Sequence, residues 1–97
     1  MPKAYVIVDM DVTDPDRYAA EYVPLSGPSV EAAGGRYIAR GGATEVLEGD
    51  RQPHRTVLIE FDSVEAAKTW YESPAYRIAR AAREGAAVGS FIVVEGV

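Results

Sequence analysis

Side chains able to do chemistry are few in this sequence, and two of them share one short stretch. Arg36 and Arg40 lie in Gly34-Gly35-Arg36-Tyr37-Ile38-Ala39-Arg40-Gly41-Gly42, a strand-like run with a glycine pair at each end. Alternate residues of a strand share a face, so a spacing of four predicts both guanidiniums on one side. A guanidinium placed there can hold a carboxylate through two parallel N–H···O bonds. The glycines accept φ > 0 and let backbone and ligand approach closely. Arg40 is therefore a candidate anion anchor, with an ion pair to Glu60 or Asp9 as the alternative. Glu60 is a candidate general base if burial raises its pKa, or else the partner of an arginine. His54 is the only histidine, and the only side chain that titrates near neutrality when unperturbed. It is the second catalytic candidate, although its place after Pro53 equally suits a surface residue at a hairpin edge.

The aromatic residues supply walls. Tyr22, Trp70, Tyr71 and Tyr76 carry bulk with polar tips, which fits core packing or a pocket lining. Tyr76 and Arg83 stand one heptad apart on the same side of a helix, where they can border a pocket between helix and sheet or touch at the surface. Arg40, Glu60, Tyr76, Arg83, Tyr22 and Trp70 together form the candidate ligand-binding set. No spacing supports a Ser-His-Asp triad. Asp9 and Asp11, with one histidine and no dedicated loop, do not make a metal site. A lone histidine with no reason to enter a pocket argues against haem, and no cofactor is expected.

Elements that would position these groups follow from periodicity. Residues 4–12 alternate as a strand, with Ala4, Val6, Val8 and Met10 on a dry parity and Tyr5, Ile7, Asp9 and Asp11 on a mixed one. Thr13-Asp14-Pro15 opens a helix in which Tyr18, Tyr22 and Leu25 share a face. Pro24 and Gly27-Pro28 predict a kink or split, and Gly34-Gly35 a left-handed stop. The arginine stretch is the second strand. A bulge at Gly41-Gly42 should let it continue through Thr44–Glu48, and residues 49–53 should form a hairpin loop. Residues 54–61 are the third strand, with Val57, Ile59 and Phe61 dry and His54, Thr56, Leu58 and Glu60 mixed. Asp62 with Glu65 resembles a capping box for a helix to Glu72. Ser73-Pro74 caps a fresh one, with Ala75, Ile78, Ala79, Ala82 and Ala86 as its buried stripe. Ser90–Val94 is the last strand. The order β-α-β-β-α-β predicts an α+β, ferredoxin-like domain: a four-stranded antiparallel sheet with two helices on one face.

Composition narrows the function classes. At 97 residues, 47% hydrophobic and 26% charged, the chain reads as one globular domain over 1–97 with a thin core. Absence of cysteine removes disulfides, zinc ribbons, iron–sulfur clusters and thiol nucleophiles. A net charge of −5 without a basic patch argues against nucleic acid as a partner. Neither a signal peptide nor a membrane span is visible, so the expectation is a cytoplasmic protein with no membrane partner. Helices cover only one sheet face, and the mixed parity would leave Tyr5, Ile7, Ile38 and Leu58 wet in a monomer. A homodimer through that face is expected.

The ordered set Tyr5–Asp9, Gly34–Tyr37, Arg40–Gly42, Glu45–Gly49, Ile59–Phe61, Trp70–Tyr76 and Val93–Gly96 resembles domain-of-unknown-function family 1330, of the dimeric α/β-barrel superfamily, over essentially the whole chain. The resemblance implies a ferredoxin-like protomer whose sheet packs on its twin's. Superfamily relatives include cofactor-free monooxygenases, lactone isomerases and haem enzymes, while the family has no settled activity. Two classes therefore stand. One is a small-molecule site, enzymatic or merely binding, with an organic anion as ligand. The alternative is a non-catalytic structural or regulatory dimer whose charges only fix the interface.

Overall fold

The computed structural model describes residues 2–97. Strand β1 (Ala4–Val12) leads into α1 (Pro15–Arg17), a π-helical turn (Tyr18–Tyr22) and α2 (Val23–Ala32). Strands β2 (Arg36–Arg40) and β3 (Arg55–Phe61) follow, then α3 (Val64–Glu72), α4 (Pro74–Ala82) and β4 (Ala87–Glu95). All neighbouring strands are antiparallel, in the order β2-β3-β1-β4. That is the ferredoxin-like arrangement the element order predicts. Among the described residues, no helix is long and apolar enough to cross a membrane.

The dry parity of β1, with Val57, Ile59 and Phe61, lies beneath the helices and forms the core with Val30, Ala67, Trp70, Tyr76 and Ala79. The other face is uncovered in the protomer. Register places Leu58, Ile7 and Ile92 side by side there, with Tyr5 beside Val94 and Asp11 beside Val88.

Pro28 lies inside α2, and the first helix does not end at its prolines. It changes type instead: Val23 N–H bonds back to Tyr18 O across the wider π turn, and Pro24 falls in the first turn of α2, where its missing amide costs no bond. One extra residue per turn also rotates the buried face. Tyr18 and Tyr22 are buried as expected, but the face continues through Ser26, Ser29 and Val30, leaving Leu25 40% exposed. Gly34 (φ 79°) ends α2 in the expected left-handed turn. Its N–H reaches Glu31 O and that of Gly35 reaches Val30 O, a paired stop that satisfies two helix-end carbonyls.

Three further boundaries differ. Residues 41–54 form one long exposed connection, so Thr44–Glu48 does not extend β2. The cap of α3 is Ser63, whose Oγ accepts from Ala66 N, because Asp62 is turned outward to Lys3. In α4 the buried residues are Tyr76 and Ala79, Ala82 is half-buried, and Ala86 beyond the helix is buried as expected. Ala75 and Ile78 face solvent, Ile78 at 62% exposed. Strand β4 also begins earlier than the β-branched run indicates, at Ala87, so Gly89 lies within it.

Ser73 separates α3 from α4 as expected, with extended backbone (φ −64°, ψ 151°). Its Oγ donates to Trp70 O at 2.7 Å and accepts from Tyr76 N at 3.2 Å, closing one helix and opening the next. Ser73→Ala should therefore cost about 1 kcal/mol, the usual worth of a capping side chain. Urea denaturation would measure it, and an unchanged midpoint would show that the cap carries nothing.

Candidate functional site

One residue in β2 decides the site. Arg36 pairs with Glu60 and Tyr37 with Ile59, but Ile38 is bulged out, so Ala39 pairs with Leu58 and Arg40 with Val57. A bulge adds one residue to a period of two and transfers everything beyond it to the opposite face. Arg40 is thereby placed on the helix face, not on the mixed face with Arg36. The alternative ion pairs of Arg40 do not form: Glu60 is ion-paired with Arg36 and Asp9 with His54, both on the open face. Glu60 is thus removed from the candidate set, because a sheet separates it from Arg40.

On the helix face Arg40 lies at the mouth of a small chamber between α2 and the sheet. Its guanidinium stacks 4.1 Å from the Tyr37 ring centre and passes Gly27, where a Cβ would sit 3.6 Å away. Tyr18, Tyr22, Tyr37, Arg55, Trp70 and Phe91 are among the residues that line the chamber, whose volume is about 20 Å³. Arg55 enters on the dry parity of β3, beside Val57. Gly41 (φ 73°) gives it room, since a Cβ at Gly41 would overlap the Arg55 guanidinium. Arg83 lies 5.9 Å from the Tyr22 ring centre and 5.3 Å from that of Phe91.

These arginines are uncompensated. Among the described residues none of Arg40, Arg55 and Arg83 forms an ion pair, and the buried Nε–H groups of Arg55 and Arg83 have no hydrogen-bond acceptor. A buried donor left unpaired costs about 1–3 kcal/mol, and more when charged. Aromatic ring faces soften that cost without supplying an acceptor. The tyrosine hydroxyls are donors at neutral pH. Burial pushes Tyr22 well above its usual value, and Tyr76 and Tyr18 upward as well, with Arg55 partly offsetting the shift at Tyr18. Tyr22 and Tyr76 hydroxyls meet at 2.9 Å. Trp70 is pinned by its indole N–H donating to Ser29 Oγ at 3.1 Å. The chamber thus gathers Arg40, Tyr22 and Trp70 and adds Tyr18, Tyr37 and Arg55, while Tyr76 and Arg83 stand beside Tyr22 without lining it. Arg55 carried a readable signal, a charged residue continuing the dry parity of Val57, Ile59 and Phe61.

His54 stands apart from this chamber, on the open face. Its backbone N–H and its Nδ1 both bond to the Asp9 carboxylate at 2.8 Å, and Nε2 lies 3.9 Å from Asp11. The Asp9 hydrogen bond raises His54 above its usual 6.5, and the same bond, with the backbone one, lowers Asp9 below 3.8. A raised histidine stabilises the fold fully below its unfolded pKa, and that contribution is lost as pH rises through the folded one. A lowered carboxyl stabilises above its unfolded pKa and fails as pH falls through the folded one. Both contributions are present between about 3.8 and 6.5. The stability gap between wild type and His54→Gln, read by urea unfolding, should be widest in that window and close at alkaline pH. A gap that widens with pH would exclude the ion pair.

Comparison with known proteins places the chain without naming a reaction. No curated protein matches it. A protein of unknown function from Rhodopseudomonas palustris, RPA0582, superposes with a TM-score of 0.72 at 25% identity, covering 99% of this chain and 83% of that one. The methylated form of RPA0582 gives 0.73 at 24%, with 99% and 82% covered. A conserved protein of unknown function from Bacteroides thetaiotaomicron, described as a possible oxidoreductase, gives 0.59 at 14% over 97% of both chains, which shows likeness of fold alone. The family model for the domain of unknown function DUF1330 matches residues 3–97, and the chain belongs to that family.

Proposed function

We propose that this protein is a cytoplasmic homodimer of the dimeric α/β-barrel kind, whose protomers each bind a small organic anion in the arginine–tyrosine chamber. The observation that carries the anion is the pair of buried guanidinium Nε–H groups on Arg55 and Arg83 with no acceptor. In a chain of net charge −5, Arg40 and Arg55, which line one interior space without an ion pair, are complementary to a ligand carboxylate or enolate. Tyrosine hydroxyls held protonated by burial would donate to the same oxygens. No carboxylate, imidazole or thiol lines the chamber. Turnover there would rest on stabilising developing negative charge, with the proton acceptor supplied from elsewhere.

The uncovered sheet face supports the dimer. Ile7, Leu58, Ile92 and Val94 form one apolar band there, flanked by the Arg36–Glu60 and His54–Asp9 pairs. A band of that kind is normally covered by another subunit. The same charged pairs favour the second reading, a structural dimer whose charges set the register of the two sheets.

Two measurements test these proposals. In calorimetry against small carboxylates, Arg55→Met and Arg40→Met should each weaken binding by about ten- to a hundredfold, the worth of a charge-assisted contact. Glu60→Gln, on the other face, should leave binding unchanged. Equal affinity in all variants, or no carboxylate bound by wild type, would leave only the structural dimer. Sedimentation equilibrium should return twice the chain mass, and Ile7→Asp should shift it toward the monomer. A monomeric wild type would overturn the assembly.

A further inference from the structure

A second cavity lies against the chamber wall. It is a cleft of about 410 Å³ between α3 and β4, within the roughly 300–1,000 Å³ typical of small-molecule sites. Val6, Ala67, Tyr71 and Val93 give it apolar walls, and Lys68 at its rim has no carboxylate partner. Trp70 and Phe91 line both the cleft and the chamber. The two rings are held differently. Trp70 is fixed by Ser29 and by contact with Phe61 and Tyr76, at 5.4 and 4.4 Å between ring centres. Phe91 has no polar anchor, stands on the edge strand and meets the rings of Tyr71 and Tyr76 at the longer centre distances of 5.7 and 6.2 Å. Its ring occupies the space left by Gly89, where a Cβ would lie 2.5 Å from Phe91 Cε1.

We infer that chamber and cleft are two halves of one amphipathic site gated by Phe91, which takes a carboxylic acid bearing an aliphatic or aromatic body. The carboxylate is held by the chamber guanidiniums and the body lies in the cleft along Tyr71 and Val93. The inference rests on the anion site proposed above and adds the substrate class. Neither half suffices alone for an acid with a long body. About 20 Å³ has no room for a chain of several carbons, and the cleft offers a charged group only Lys68 as a cation, with Glu72 also on its lining. Rotation of Phe91 off Gly89 joins them, with the Arg83 guanidinium 5.3 Å from that ring to receive the carboxylate. The division of labour is the common one for such sites, apolar burial for affinity and a few polar groups for orientation.

The test is a chain-length series, propionate to octanoate with phenylacetate and 1-octanol, measured by calorimetry and by emission of Trp70, the only tryptophan. Wild-type affinity should rise roughly fourfold per added methylene, the value of burying each in an apolar cleft. Octanol should bind at least about tenfold more weakly than octanoate, as loss of a charge-assisted contact requires. Val93→Phe, at an edge-strand position already 38% exposed, should flatten the length dependence while propionate still binds. Should that variant not fold, the wild-type series decides alone. Equal affinity for propionate and octanoate would overturn the joined site and leave the anion chamber standing. Octanoate binding unaffected by Arg55→Met, or matched by octanol, would make the cleft a separate apolar site. No binding by any acid would overturn both.

Discussion

The alternation of strand side chains between two sheet faces is the constraint on which this structure depends. Helices cover one face only, so each strand residue is committed to the core or to the open surface by its parity. A single unpaired residue, Ile38, reverses that commitment for the end of β2. It places Arg40 on the helix face with Tyr37, while Arg36 meets Glu60 on the open side. Without the bulge, Arg40 would stand beside Arg36 and Glu60, and the chamber would lack the guanidinium at its mouth.

The helical layer is adapted to the same chamber. The π turn rotates the first helix so that small Ser26 and Ser29, rather than Leu25, face inward. Ser29 then accepts from the Trp70 indole, and Tyr22 meets Tyr76 through their hydroxyls. Buried polar atoms with partners of this kind fix a unique arrangement of large rings. The unpartnered Nε–H groups of Arg55 and Arg83 stand out against that background. The core satisfies its serine, tryptophan and tyrosine groups yet leaves two guanidinium Nε–H donors without an acceptor.

The open face works by different rules. Its central row is apolar, and its charges are paired at the margins, Arg36 with Glu60 and His54 with Asp9. Exposed pairs of this kind contribute little to stability in water. Covered by a second sheet they would gain strength and fix register, because burial raises the cost of any misalignment.

Local chemistry was legible in the sequence wherever the cause was local. Alternation in residues 4–10 and 57–61 defined two strands and their dry faces. Proline after Asp14 and after Ser73 marked helix starts, and Gly34 a left-handed stop. Together these gave the βαββαβ order and the open face, and Tyr22, Trp70, Tyr76 and Arg83 were recognised as potential pocket residues. What depended on register was not legible. Whether a strand contains a bulge is decided by its pairing partner, so the face of Arg40, and with it the exclusion of Glu60, awaited the β2–β3 ladder. The π turn likewise depends on how α2 packs, and it overruled the simple i, i+4, i+7 spacing that pointed to Leu25. Ala79 and Ala86 of the expected stripe are buried, but Ala75 and Ile78 are not, and the larger Tyr76 takes the buried position instead. Sequence periodicity specifies what each element is. Its face and its neighbours are settled by contacts between residues far apart in the chain, and the candidate site is made of those contacts.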